Sequence, residues 1–306
     1  LSNFSVTVLG SSAAIPTLHR STSAQVLSYH NRLFLLDCGE GTQLQMRKYQ
    51  VPFQRINEIF ISHLHGDHFL GLPGLLSTMN LLGRTEGISI YAPPALEQVL
   101  SSIFSATKDH MVFPFKVIPL VMDREEVILE DDTLRVTAFP LNHRVPTFGF
   151  KFEEKFRRLK ANVNALAQRE INPVHLQTLL TGRDIQLLDG TILRYRDFTI
   201  PHPAARVFSY CTDTAPFSAL STYLKGTTTL YHEATFLHDK KDRAKKTHHS
   251  TAQDASSLAH DLGVEKLLIG HFSGRYKDPQ AHVDEAKQWF HRELYAVEDG
   301  ENYPIR

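Results

Sequence analysis

The chain has 306 residues, 42% of them apolar and 22% charged, which suits a globular protein whose core needs no disulfide support. Its 33 basic residues balance 33 acidic ones, which argues against a uniformly basic nucleic-acid binder and leaves only local patches for that role. The two cysteines, Cys38 and Cys211, form no CxxC pair, which argues against a cysteine-rich zinc module and for a reducing compartment.

In chain order, residues 4–10, 24–29 and 32–39 read as strands ending in glycine turns, and 40–50 as a short helix. A buried strand over 56–62 runs into "HLHGDH", and 71–83 has helical spacing with Pro73 in its first turn. Strand-like runs return at 88–91, 115–121 and 133–139, with a helix over 94–106. The second half repeats the style, with strands at 206–214, 228–234 and 264–273. Its helices are expected over 250–263, capped by Ser250 and closed by Gly263, and over 279–296. Strand and helix alternate in both halves, so the fold class is α/β in layers, and 306 residues are enough for one large domain or two small ones. Residues 153–203, a helical segment plus a small hairpin, look inserted between the halves. No apolar run approaches membrane-span length and the first residues lack a signal-peptide pattern, so no membrane association and a cytoplasmic location are expected.

The chain carries 17 histidines, and four ligand-type residues crowd into six positions: His63, His65, Asp67 and His68. Imidazole and carboxylate suit zinc, although manganese or iron also accept such donors. On one loop, His63 and His65 can serve one ion while Asp67 and His68 serve a neighbour. Four residues cannot complete two sites. Further donors are sought at later strand ends, where His143, Asp213 and His271 each follow an apolar run.

"HLHGDH" followed by "GLPGLL" resembles the metallo-β-lactamase fold. "VLGSSAAIPT", "LLDCGEGTQLQMRK", "LNHRVPTFGF", "YCTDT", "HEATF", "HHSTAQDA" and "IGHFSGRY" are similar, in order, to the motifs of ribonuclease Z, the tRNA 3′-processing endonucleases. The resemblance covers nearly the whole chain and implies a single domain over 1–306. It implies a metallo-β-lactamase-like αββα sandwich and two zinc ions per subunit. One ion would be held by His63, His65 and His143, the other by Asp67, His68 and His271, with Asp213 bridging. It implies Asp67 as proton acceptor, precursor tRNA as substrate, and a homodimer.

On that reading His249 is the candidate to protonate the leaving oxygen, with His248 its neighbouring alternative, and Glu233 orients the imidazole. The inserted segment resembles the family's flexible arm, which grips the tRNA body. It opens with Lys155, Arg157, Arg158 and Lys160, candidates for phosphate contact, and a second basic run, "KKDRAKK", spans 240–246. A competing expectation is a hydrolase of the same fold acting on small phosphodiesters or other esters, which would have no use for an arm.

Overall fold

The structure is a computed structural model that describes residues 4–108, 110–155, 159–168, 171–201 and 204–306. Fourteen strands build two seven-stranded sheets. The first half supplies β1 (Phe4–Gly10), β2 (Ala24–Tyr29), β3 (Arg32–Leu36), β4 (Ile56–Phe60), β5 (Ile88–Ala92) and β6 (Phe115–Pro119). The second supplies β7 (Glu126–Glu130), β8 (Leu134–Pro140), β9 (Phe148–Glu154), β10 (Val207–Cys211), β11 (Thr229–Glu233), β12 (Lys266–Gly270) and β13 (Glu293–Ala296). A last strand, β14 (Asn302–Pro304), returns to pair with β1, so the sheet orders are β14-β1-β2-β3-β4-β5-β6 and β13-β12-β11-β10-β9-β8-β7.

Strand alternation assigns the layers. In β3, Phe34 and Leu36 face the second sheet while Leu33 and Leu35 face helices. In β12, Leu268 points between the sheets and Leu267 and Ile269 point outward. The inter-sheet layer is aromatic, with Phe60 against Phe150 and Phe152 at centroid separations of 5.3 Å. Helices Thr42–Lys48, Leu72–Leu81 and Ala95–Thr107 cover the first sheet; Ala252–Leu262 and Gln280–Ala286 cover the second. This is the αββα sandwich expected. Strands covered on both faces read as continuous apolar runs, which is why so many of them are legible in the sequence.

Three expectations are corrected. The last helix stops at Ala286, and Glu293–Ala296 is a strand parallel to β12. Ala286, Phe290 and Leu294 are spaced four apart, so a helical stripe continues on paper while Leu294 and Ala296 alternate as a strand does. Helix Ala252–Leu262 is capped by Thr251 and Asp254 in a reciprocal capping box; Ser250 instead donates to the Thr214 carbonyl at 2.6 Å. Strands β7 and β9 lie in stretches where no strand was expected.

The inserted stretch holds helices Val163–Gln168, Pro173–Leu179 and Tyr195–Phe198, a hairpin pairing Ile185–Gln186 with Ile192–Leu193, and a short ladder between Lys160–Ala161 and Thr199–Ile200. Leu179, Leu193 and Phe198 form its own small apolar cluster. Among the described residues, no helix is long and apolar enough to cross a membrane.

Candidate metal centre

Every member of the centre leaves the carboxyl end of a strand, the end where open α/β sheets gather ligands. Residues 61–65 follow β4 and lead into the short helix Gly66–Phe69, which carries Asp67 and His68. His143 follows β8, Asp213 follows β10 and His271 follows β12. Close backbone packing fixes the first loop. Cys38 N–H donates to His68 O at 2.7 Å and Gly71 N–H to Cys38 O at 2.9 Å. A Cβ on Gly71 would stand 2.0 Å from the Gly39 carbonyl oxygen, so only glycine permits this approach.

The seven expected ligands converge in two groups, His63, His65, His143 and Asp213 in one, Asp67, His68 and His271 in the other. In the first, His63 Nε2 is 3.0 Å from His65 Nδ1, which is 3.3 Å from His143 Nε2. Asp213 Oδ2 lies 3.5 Å from His63 Nε2 and 3.7 Å from His143 Nε2. In the second, Asp67 Oδ2 lies 3.4 Å from His68 Nε2 and 3.6 Å from His271 Nε2. The other Asp213 oxygen, Oδ1, is 3.3 Å from His68 Nε2 and 3.1 Å from His271 Nε2. One carboxylate thus turns one oxygen to each group.

These donors fit metal ions. Bonds of about 2.0–2.1 Å in a tetrahedron put neighbouring donors about 3.3 Å apart, the spacing seen here. The Nε2 atoms of His68 and His271 are buried and have no hydrogen-bond partner, a costly state unless a cation faces them. The opposite ring nitrogens are engaged, as ligating imidazoles require. His68 Nδ1 meets Asp37 Oδ2 at 2.8 Å, His143 Nδ1 donates to the His248 carbonyl at 2.9 Å, and His271 Nδ1 meets Thr235 Oγ1 at 2.9 Å. Backbone strain clusters here too: Asp37, Asp213, His248 and His271 hold left-handed φ of 55°, 28°, 55° and 57°. Such conformations cost about 1–3 kcal/mol each in non-glycine residues and persist where surrounding structure enforces them.

His249 stands beside both groups, its ring centroid 5.1 Å from that of His143 and 5.6 Å from that of His271. Its Nδ1 lies 2.8 Å from Glu233 Oε1, which also accepts the Thr214 N–H at 2.6 Å. Burial opposes a charge on this imidazole, but the Glu233 carboxylate outweighs it and raises the pKa to about 9. Burial likewise opposes ionisation of Glu233, and the facing His249 overcomes it, holding the carboxyl below its ordinary range. His248 is turned elsewhere, its Nδ1 3.2 Å from Asn142 Oδ1.

Several residues of the centre carry no role in the sequence reading. Asp37 accepts from Ser62 N–H at 2.7 Å, Ser62 Oγ–H at 2.9 Å and Tyr210 O–H at 2.8 Å while holding His68. In the sequence it is a carboxylate closing the apolar run of β3, inside the motif LLDCGEGTQLQMRK but without a stated role. Ala14 N–H donates to Asp67 Oδ2 at 2.8 Å, a backbone contact without side-chain signature. A cleft of about 430 Å³ opens over the centre, and Arg144, Arg243 and Arg275 line it beside His249 and Asp67.

Of the four basic residues at the start of the arm, Lys155 is tied to Glu130 Oε1 at 2.6 Å and to the Asp131 carbonyl at 2.8 Å, so its ammonium is engaged within the fold. Lys160 is exposed, and Arg157 and Arg158 lie outside the described residues.

A family model described as Anti-Pycsar protein Apyc1 matches residues 4–157. A protein of Porphyromonas gingivalis strain W83 named Ribonuclease Z is 40% identical over 96% of this chain and 97% of its own. One of Ignicoccus hospitalis with the same name is 41% identical over 95% of each. The crystal structure of human tRNase Z, short form, covers 99% of both chains at 28% identity with a TM-score of 0.73. The metallo-β-lactamase fold protein YhfI from Bacillus subtilis, 17% identical with a TM-score of 0.70 over 99% of each chain, shares the fold.

Proposed function

The chain belongs to the ribonuclease Z family and, by residues 4–157, to that of Anti-Pycsar protein Apyc1; from this premise we propose that it removes the 3′ trailer from precursor tRNA. The matched family model ends before Asp213, His249 and His271, whereas the ribonuclease Z relatives span them all, so the functional reading follows those relatives. The protein is a metal-dependent endoribonuclease. The observation that carries the finer reading is Asp213, whose two oxygens each address one donor group.

We assign two zinc ions per subunit, one to His63, His65 and His143, the other to Asp67, His68 and His271, with Asp213 shared. When bound, such ions neutralise charge on the phosphate and make water acidic enough to attack near neutral pH. The chain's own groups complete the proton balance. Asp67 Oδ2, oriented by the Ala14 N–H, accepts the proton of the attacking water. As the bond from phosphorus to the 3′ oxygen breaks, His249 donates from Nε2, its Nδ1 being held by Glu233. Glu233 positions the imidazole and stabilises its charged form. The products are a 3′-OH on the tRNA and a 5′-phosphate on the trailer, and the RNA 2′-OH takes no part.

The arm over 153–203 serves as the exosite for the tRNA body, with Lys160, Arg183, Arg194 and Arg196 exposed among its described basic residues. The homodimer implied by resemblance, with one subunit's arm serving the other's cleft, belongs to the same reading. So does a cytoplasmic location, which two buried, unpaired cysteines support.

The test is to incubate metal-loaded protein with precursor tRNA and map the product ends. A cut leaving 3′-OH and 5′-phosphate is expected; a 2′,3′-cyclic end or no cut overturns the assignment. Asp67→Ala with its metal retained should lose cleavage, and parental rates would remove Asp67 from the proton path.

A further inference from the structure

Three arginines from three separate segments reach the same cleft: Arg144 next to the ligand His143, Arg243 on helix Lys241–Thr247, and Arg275 beyond His271. All three are exposed, and among the described residues none is in an ion pair with a carboxylate. In a chain of zero net charge that is a local excess of cation, set where the acidic groups are the ligands Asp67 and Asp213. Arg275 is held in place, its guanidinium 5.0 Å from the Phe236 ring centroid and its Nε donating to Ser273 Oγ at 2.9 Å.

Guanidinium forks match phosphate oxygens, and three of them exceed what a single scissile phosphate between two cations requires. We propose that Arg144, Arg243 and Arg275 form a clamp on the phosphates neighbouring the scissile one, so that the cleft selects a polynucleotide strand over an isolated phosphodiester. The inference rests on the ribonuclease reading and deepens it. It places strand recognition within the cleft itself, separate from the arm. It also separates this chain from a small-phosphodiester hydrolase, whose substrate has no neighbouring phosphates to hold.

Salt dependence tests it. Each phosphate contact to a single strand contributes about 0.7 to the slope of log affinity against log salt. Wild type, R144Q, R243Q and R275Q, each checked for metal content, are compared on precursor tRNA between about 50 and 200 mM salt. Each Gln variant should lower kcat/KM about tenfold or more at the low end, as loss of a charge-assisted contact implies. Each should also flatten the slope by about 0.7, and the triple variant by about 2. Arg→Lys at each position should restore the slope, since charge rather than packing sets it. Parental slopes in all three Gln variants, or Lys variants as flat as Gln, overturn the clamp. A wild type that fails to cut precursor tRNA fails the ribonuclease reading instead, so the two failures are distinct.

Discussion

The metal centre and the inserted arm are built on different scales. The seven donors come from residues 63 to 271, span four strand ends, and are anchored between two sheets whose shared layer is almost wholly buried. The arm closes on itself between Lys160 and Ile200, with Leu179, Leu193 and Phe198 its only fully enclosed apolar side chains among the described residues. Val163, Val174 and Leu188 stand in solvent around them. A centre assembled from distant strands is only as accurate as the core that holds it. A segment with a minimal core can change length or sequence without moving a ligand. The centre and the arm are therefore separable as pieces of structure.

The largest break in that comparison should come from Asp213→Ala. It removes the one carboxylate both groups share, so we expect loss of bound metal and a fall in precursor-tRNA cleavage of about a thousandfold or more. Metal analysis beside the cleavage rate checks this; full metal content with near-parental rates would contradict a shared ligand.

Deleting residues 155–200 addresses the other region. Precursor-tRNA kcat/KM should drop by about two orders of magnitude, because remote binding interactions support the chemical step. Hydrolysis of bis(p-nitrophenyl) phosphate should stay within about threefold of wild type, the centre being built elsewhere. Equal loss of both activities would show that the arm also shapes the centre.

A finer probe is Asp37→Asn, which touches no substrate. It weakens the acceptor that fixes His68 Nδ1, and outer partners of this kind are worth about 10–100-fold in metal affinity. Competition with a chelator should reveal that shift while the far-ultraviolet circular dichroism stays native.

The last prediction concerns stability and leaves activity near neutral pH unchanged. His282 is buried against Phe272 and Tyr276, and neither ring nitrogen has a partner. Burial, with Arg20 adding to it, lowers its pKa to about 4. Below its ordinary pKa of 6.5 the unfolded chain binds the proton first, so this residue erodes stability as pH falls from 6.5 toward 4 and costs nothing above that window. The shift corresponds to about 3 kcal/mol. Denaturant melts of wild type and His282→Phe should diverge across that window and run parallel above it; parallel curves throughout would exclude the effect.

Much of the molecule was readable from its residues. Both-faces-buried strands such as β3 and β12 announce themselves as apolar runs, and HLHGDH concentrates donor chemistry that few other roles explain. The motifs that follow supplied His143, Asp213 and His271 as further candidates, and the fold brings all three beside that loop. Strand β13 was misread because four-residue apolar spacing persists past the helix that ends at Ala286. Asp37, Thr235 and Ala14 lie inside quoted motifs, but what they hold was unreadable because their partners are 31, 36 and 53 positions away.

What the amino-acid order determined is the set of donors and the layers that carry them, since periodicity and side-chain chemistry are local properties. Which oxygen of Asp213 faces which histidines, which of His248 and His249 meets Glu233, and which arginines reach the cleft were decided only when the two sheets closed. Those are relations between side chains far apart along the chain, and only tertiary packing fixes their distance and direction.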